Sequence, residues 1–208
     1  MVETRVVVER GDELGERYRR RITEVYVRSF AADFIAFSRD TGKLADAFEH
    51  MLLLDRFYVA LVDGEPAGLA SLTEGDQTLF APRWREIRRH LGFARGLLCY
   101  LVIRRWFMAA SDDARPGLAE IGFVATEPDF RGRGVATALL RHLLAQPGYR
   151  EYVLEDIKDT NTSALGVYTK LGFTEYKRRK VRFARRAGFT ELVSMRLGQD
   201  PASGPATG

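Results

Sequence analysis

The apolar positions of this chain recur with two different periods, and the change of period divides it into predicted strands and helices. Residues 4–10 have the alternation of a strand, whereas apolar residues over 12–30 recur at helical spacing. A second helix is predicted from Thr41, as its N-cap, to residue 54. Strands at 57–62 and 67–74 flank an Asp-Gly turn, which is typical of an antiparallel hairpin.

The second half of the chain continues to alternate between the two periods. Residues 80–117 form an amphipathic region of one or two helices that ends in a Pro-Gly breaker. The elements predicted after it are a strand at 118–126, a helix at 135–144, a strand at 151–157, a helix at 163–171 with Gly172 at its C-cap, and closing strands at 173–183 and 189–197. The pattern therefore predicts a mixed α/β sheet with helices on its faces.

Composition limits the number of domains and the kinds of partner. A chain of 208 residues, of which 46% are hydrophobic, buries one sizeable core, so we expect a single domain over 1–198 and a disordered tail at 199–208. The net charge of +4 is compatible with an anionic ligand. The 27 arginines and 5 lysines are scattered, which argues against a nucleic-acid interface.

Residue types also exclude several kinds of site. The single cysteine, Cys99, allows no disulfide framework and lies in an apolar run that raises the pKa of a thiol. His50, His90 and His142 have no metal-ligand spacing, so we expect no metal. No signal peptide is evident, and the uninterrupted apolar run 97–103 is too short to span a bilayer, so we expect a cytoplasmic protein without stable membrane insertion.

The stretch IGFVATEPDFRGRGVATALL, residues 121–140, carries the strongest chemical signal. It runs from a strand through a glycine- and arginine-rich loop, residues 131–134, directly into a helix. Glycines allow the backbone to approach a ligand, and the free amides at a helix N-terminus attract anions, so the loop is a candidate phosphate-binding site. Val135 and Ala136 stand where a P-loop needs Lys and Ser or Thr, and the dinucleotide fingerprint also fits poorly. A plain strand-to-helix turn remains the alternative.

A second motif follows the next predicted strand. NTSALGVYTKLGF places Asn161, Ala164, Tyr168 and Gly172-Phe173 at fixed intervals. Together with Arg131-x-x-Gly134-x-Ala136, this motif closely resembles the GNAT superfamily of acyl-CoA-dependent N-acetyltransferases, over about residues 118–173. The resemblance implies a single-domain, mostly antiparallel mixed sheet with two splayed central strands and helices on both faces.

The resemblance also implies a cofactor and the residues that bind it. Acetyl-CoA would lie between the splayed strands, with its arm along the backbone of the earlier strand and its pyrophosphate on the loop amides. The residues implied are Phe123, Val124, Ala125, Thr126, Arg131, Gly132, Arg133, Gly134, Val135, Ala136, Thr137 and Asn161. For Asn161 the alternative is a helix N-cap.

Two residues are implied as catalytic. Tyr168 matches the position whose hydroxyl protonates the leaving thiolate, with a core tyrosine as the alternative. Glu120 opens the motif strand, where some relatives have a general base acting directly or through water; the alternative is a strand-end carboxylate. The function implied is acetyl transfer to a primary amine of a small molecule or peptide by direct attack in a ternary complex.

The upstream half leaves the acceptor open. The insertion at 80–117 either only packs on the sheet or also forms the wall of an acceptor site. A non-catalytic CoA-binding regulatory or interaction module remains the alternative function, and this arginine-rich segment would then associate with a membrane surface or a partner. We expect a bacterial protein and consider a homodimer through the closing strands.

Overall fold

A central sheet organises the computed structural model, which describes residues 5–107, 115–181 and 188–199. Within these residues the sheet has seven strands in the order β1-β2-β3-β4-β5-β7-β6. The strands are β1 Val6–Arg10, β2 Phe57–Val62, β3 Glu65–Glu74, β4 Leu118–Thr126, β5 Glu151–Lys158, β6 Thr174–Lys180 and β7 Glu191–Gly198. Every pairing is antiparallel except that of β4 with β5.

Helices cover both faces of the sheet. In the described residues they are α1 Gly11–Leu14, α2 Glu16–Ser29, α3 Thr41–Phe48, α4 Trp84–Leu91, α5 Phe93–Val102, α6 Val135–Leu144 and α7 Thr162–Lys170, with 3-10 turns at Leu54–Arg56 and Pro128–Phe130 and a π turn at Ile103–Phe107. One core cluster packs α2 to α5 on one face, and a second packs α6 and α7 on the other. No helix within the described ranges has both the length and the apolarity to cross a membrane.

Two helix predictions need correction. The helix expected over 12–30 is divided at Gly15, whose φ of 80° is incompatible with a continuing helix. The second helix is capped by Asp40, whose carboxylate accepts from the Lys43 amide at 3.1 Å, so Thr41 is the first helical residue. That helix ends at Phe48 because the following residues pair with the segment before α4, through the bridge of Leu52 to Phe80.

The hairpin and the insertion agree with the sequence pattern. Asp63 and Gly64 both have positive φ, as a two-residue turn between antiparallel strands requires. The predicted helical region becomes two helices, α4 and α5, which meet at Gly92. In the predicted tail, the backbone amide of Gln199 donates to the Arg150 carbonyl at 2.7 Å. The rest of the predicted tail lies outside the described residues.

The two parallel strands separate after a short paired section. β4 and β5 pair from Leu118 with Glu151 to Glu120 with Val153, and no further pairing follows. Each strand then contains a bulge with a residue in the left-handed region, Phe123 at φ 48° and Asp156 at φ 54°. The bulges bend the strands apart. The predicted splay of the two central strands is therefore confirmed.

Candidate active site

The loop before α6 presents backbone amides to the gap between the splayed strands. Gly132 and Gly134 have φ of 74° and 79°, a conformation that favours glycine. The first intrahelical bond of α6 is donated by Ala138 to the Gly134 carbonyl at 2.9 Å. The amides of Val135 to Thr137 therefore have no acceptor within the helix and form the positive end of its dipole.

A glycine on β3 determines where α6 begins. A Cβ at Gly68 would lie 2.6 Å from the Ala125 carbonyl oxygen and 2.7 Å from Val135 Cγ1. Only a residue without a side chain allows the first turn of α6 to approach β3 and β4 this closely. Gly68 carries no local signal in the sequence, because this contact joins residues far apart in the chain.

A cleft of about 720 Å³ runs from the loop along the end of β4 to α7. It contains most of the predicted cofactor-binding positions: Val124, Ala125, Thr126, Arg131, Gly132, Gly134, Val135, Ala136, Thr137 and Asn161. Ser29, Phe30, Phe130, Ser163, Ala164, Val167, Tyr168 and Lys170 complete the lining. No carboxylate is among these described lining residues, so the cleft is suited to an anionic ligand.

Two predicted positions do not line the cleft. The β4 bulge turns the Phe123 ring into the opposite core, where it lies 5.3 Å from the rings of Tyr26 and Phe30. The Arg133 guanidinium lies over the Phe130 ring at 5.4 Å. Their side chains therefore lie outside the cleft, and the prediction that Phe123 and Arg133 bind the cofactor concerns their backbone.

Tyr168 combines a buried ring with a hydroxyl that has no partner. Its ring packs against Phe173 at 6.2 Å, and the residue lines the cleft. Among the described residues no group forms a hydrogen bond with the hydroxyl. Burial raises the pKa of Tyr168 to about 12, so the phenol keeps its proton throughout the physiological range. The ring is thus that of a core tyrosine in a residue that lines the cleft, and the proton-donor role remains a prediction.

Asn161 both caps a helix and lines the cleft. Its side chain caps α7 by accepting from the Ala164 amide at 3.3 Å, while the residue lines the cleft. The two alternatives given for Asn161 are therefore compatible.

Glu120 lies where β4 and β5 begin to separate, outside the lining of the cleft. Its neighbours Ala119 and Ile121 belong to the α6 side of the core, so alternation directs Glu120 to the α2–α5 face. Burial, followed by the charges of Glu155 and Asp156, raises the pKa of Glu120. A partly buried carboxyl with a raised pKa is a candidate for proton exchange with a substrate.

Glu155 is a candidate that the sequence interpretation missed. It follows Val153 by two residues on β5, and Val153 pairs with Glu120, so the two glutamates share a face. Glu155 accepts hydrogen bonds from the Tyr176 hydroxyl and, at 3.3 Å, from Ser194 Oγ. The alternation of side chains along VLED, residues 153–156, could have indicated Glu155 once the register of β4 and β5 was known.

Ser29, at the end of α2, was also missed. Its Oγ is buried and has no hydrogen-bond partner among the described residues, although the residue lines the cleft. An unpaired buried hydroxyl costs about 1–3 kcal/mol, so a bound ligand that pairs with it gains affinity. No sequence motif marks this position.

The comparison with protein families identifies the family of the chain. The model of the acetyltransferase (GNAT) family matches residues 19–173, which is most of the chain. The chain belongs to the GNAT family of acetyltransferases. It therefore has an acyltransferase domain, and acetyl-CoA is the acyl donor. Among curated proteins no sequence matches the chain at a significant level.

Solved structures show the same GNAT fold at low sequence identity. The chain is similar to yncA of Salmonella typhimurium, a putative acetyltransferase solved with its cofactor acetyl-CoA, at 18% identity and a TM-score of 0.56, with 98% of this chain and 99% of that chain covered. It is also similar to an N-acetyltransferase from Staphylococcus aureus Mu50 at 17% identity and a TM-score of 0.61, covering 92% and 100%.

A third neighbour has a stated protein substrate. The ribosomal-protein-S18-alanine N-acetyltransferase of Escherichia coli is 18% identical with a TM-score of 0.56, and the alignment covers 95% of this chain and 96% of that chain. Identities this low establish the fold alone. In the described part of the GNAT chain no group of three or more His, Cys, Asp or Glu residues could hold a metal ion.

Proposed function

We propose that the chain transfers an acetyl group from acetyl-CoA to a primary amine of a small molecule or peptide. The attack is direct, with both substrates bound together. The observation that carries this proposal is the arrangement around the splay: an unpaired Tyr168 hydroxyl in the cleft and a carboxyl of raised pKa, Glu120, beside the point of divergence.

The donor is held mainly by backbone. The free amides at the start of α6 and in the preceding loop bind the pyrophosphate, and the helix dipole adds to the attraction. Main-chain groups of Val124 to Thr126 bind the arm, because β4 has no partner strand on its β5 side along these residues. Asn161 adds a side-chain amide, and Phe123 and Arg133 contribute backbone only.

Proton transfers occur at opposite sides of the reacting carbonyl. Acetyl-CoA supplies the acetyl group as a thioester. Glu120 accepts a proton from the amine, through water because it does not line the cleft, and the amine nitrogen forms the new bond to the carbonyl carbon. As the carbon–sulfur bond breaks, Tyr168 donates its proton to the sulfur. The products are an amide and free CoA.

The acceptor approaches from the face that carries the glutamates. Glu155 lies beside Glu120, and its carboxylate adds to burial in raising the pKa of Glu120. Glu155 in turn is held by Tyr176 and Ser194. A primary amine, which is cationic before it loses its proton, is attracted to two carboxylates at this position.

A thiol-release assay with a panel of amines and amino-terminal peptides tests the proposal. Wild type is expected to release CoA only when both acetyl-CoA and an amine are present, with formation of an equal amount of the N-acetyl product by mass spectrometry. Tight binding of acetyl-CoA without transfer to any amine would contradict catalysis and favour the non-catalytic module. A homodimer, a cytoplasmic location and a bacterial origin remain predictions.

A further inference from the structure

An apolar helix face bordered by arginines lies on α4 and α5, away from the cleft. Four large apolar side chains of α5 are exposed to solvent: Phe93 by 64%, Leu101 by 54%, Leu98 by 47% and Leu97 by 38%. They lie on one side of the helix, since a turn takes about 3.6 residues. We call these four residues the α5 face.

The α5 face cannot be buried by rotation of its helix. Gly96, Cys99 and Ile103 anchor the opposite side of α5 and the π turn in the core. A Cβ at Gly96 would lie 3.2 Å from Arg88 Cα, so α4 and α5 are in close contact. The start of α4 is fixed as well, because the Arg83 amide donates to His50 Nε2 at 2.9 Å. The exposed side is therefore a stable part of the fold.

Arginines surround this face and have few counter-charges. Residues 84–107 include six arginines and one glutamate. Within the described ranges, no carboxylate pairs with Arg85, Arg88, Arg89 or Arg95. By contrast, Arg20 on α2 contacts both Glu24 and Asp46, and Arg178 on β6 contacts both Glu175 and Glu191. The α4–α5 pair thus carries four arginines without a carboxylate partner in the described residues.

We propose that the α5 face and its arginines bind the surface of an anionic lipid bilayer. An apolar helix face with a basic border is the pattern of helices that lie in the membrane interface, where leucine and phenylalanine enter the acyl region and arginines contact lipid phosphates. The Arg88 guanidinium lies over the exposed Phe93 ring at 5.8 Å, which places a charge beside the apolar side chain.

Charge and chemistry argue against a second copy of the chain or a nucleic acid as the partner of the α5 face. A second copy would bring two clusters of unpaired arginines together, which repel each other. Single-stranded nucleic acid binds through stacking aromatics, whereas three of the four side chains of the α5 face are leucines. The bilayer matches both the apolar surface and the positive charge.

Flotation of the full-length chain with vesicles tests this proposal. We compare vesicles of phosphatidylcholine with vesicles that contain one part phosphatidylglycerol to three parts phosphatidylcholine. Wild type is expected to bind the anionic vesicles at least tenfold more tightly, and added salt weakens the binding. Equal binding to both kinds of vesicle, or binding to neither, overturns the proposal.

Two pairs of variants separate the apolar and charged contributions. Leu97→Gln with Leu101→Gln, and Arg85→Glu with Arg89→Glu, are each expected to lower binding more than tenfold. Ile35→Gln changes an apolar side chain that is 56% exposed elsewhere, and Arg141→Glu changes an exposed arginine of α6; both are expected to bind as wild type. Loss of binding in the arginine variant alone would reduce the effect to non-specific attraction and overturn the proposal. Unchanged acetyl-CoA binding shows that each variant is folded.

Discussion

The two faces of the sheet differ in how chemistry is encoded. On the α6 side, a contiguous stretch and one following motif supply almost the whole lining of the cleft, largely as backbone amides and glycines. On the α2–α5 side, the candidate groups come from separate strands: Glu120 from β4 and Glu155 from β5. The acyl donor, acetyl-CoA, can be bound by a local motif, whereas the acceptor is bound by side chains that only the fold brings together.

This contrast ranks the expected effects of mutation. Changes to the loop remove binding of the donor, changes to the proton-transfer groups slow the chemistry, and a change to one cleft hydroxyl alters affinity by a small factor. Each of the following variants tests one part of this ranking.

The largest loss is expected for Gly134→Asp. Its carboxylate would face the phosphates at the start of α6, and a side chain at φ 79° adds strain of about 1–2 kcal/mol. Acetyl-CoA affinity measured by calorimetry should fall at least a hundredfold. Gly64→Asp is the matched control, since Gly64 has φ 80° and open space around it but lies in the hairpin turn. Equal losses of affinity in both variants would assign the effect to strain.

Tyr168→Phe removes the proposed proton donor and keeps the ring. We expect kcat to fall about 10²-fold or more while acetyl-CoA affinity changes little, because general acid catalysis contributes about 10²- to 10⁴-fold. Tyr152→Phe removes a hydroxyl from another buried tyrosine whose contacts to the Leu144 and Gln146 carbonyls are long, at 3.4 and 3.3 Å. Steady-state kinetics of both variants separate the roles. A similar small effect in both would contradict the acid role.

The glutamates are expected to set the acidic limb of the pH profile. A base must be ionised, so kcat/KM should fall as pH decreases through the raised pKa of Glu120. Glu120→Gln should abolish this limb and lower the rate about 10²-fold. Glu155→Gln removes a like charge and should move the limb to lower pH. A limb that stays in place in both variants must belong to another group, such as the acceptor amine.

The smallest effect is expected for Ser29→Ala. The free protein loses a buried hydroxyl without a partner, so its free energy of unfolding should change little or rise. If the bound donor satisfies this hydroxyl, acetyl-CoA affinity should fall severalfold in calorimetry. Unchanged affinity would show that the donor does not reach the end of α2.

Local patterns predicted much of the fold and the donor side. The bounds predicted for α6, 135–144, agree with the structure because the strand, glycine loop and helix follow each other directly. The end of α3 was misplaced because Leu52 pairs with Phe80, a contact between distant segments. Glu155 and Gly68 were missed for the same reason.

The most direct test of the central claim is hydrogen exchange of backbone amides with and without acetyl-CoA. We expect protection at residues 132–137 and 124–126, where amides face the cleft, and no change in α4 and α5. Protection confined to other segments, or equal protection by ATP at the same concentration, would contradict the assignment of the splayed strands and the α6 N-terminus as the acetyl-CoA site.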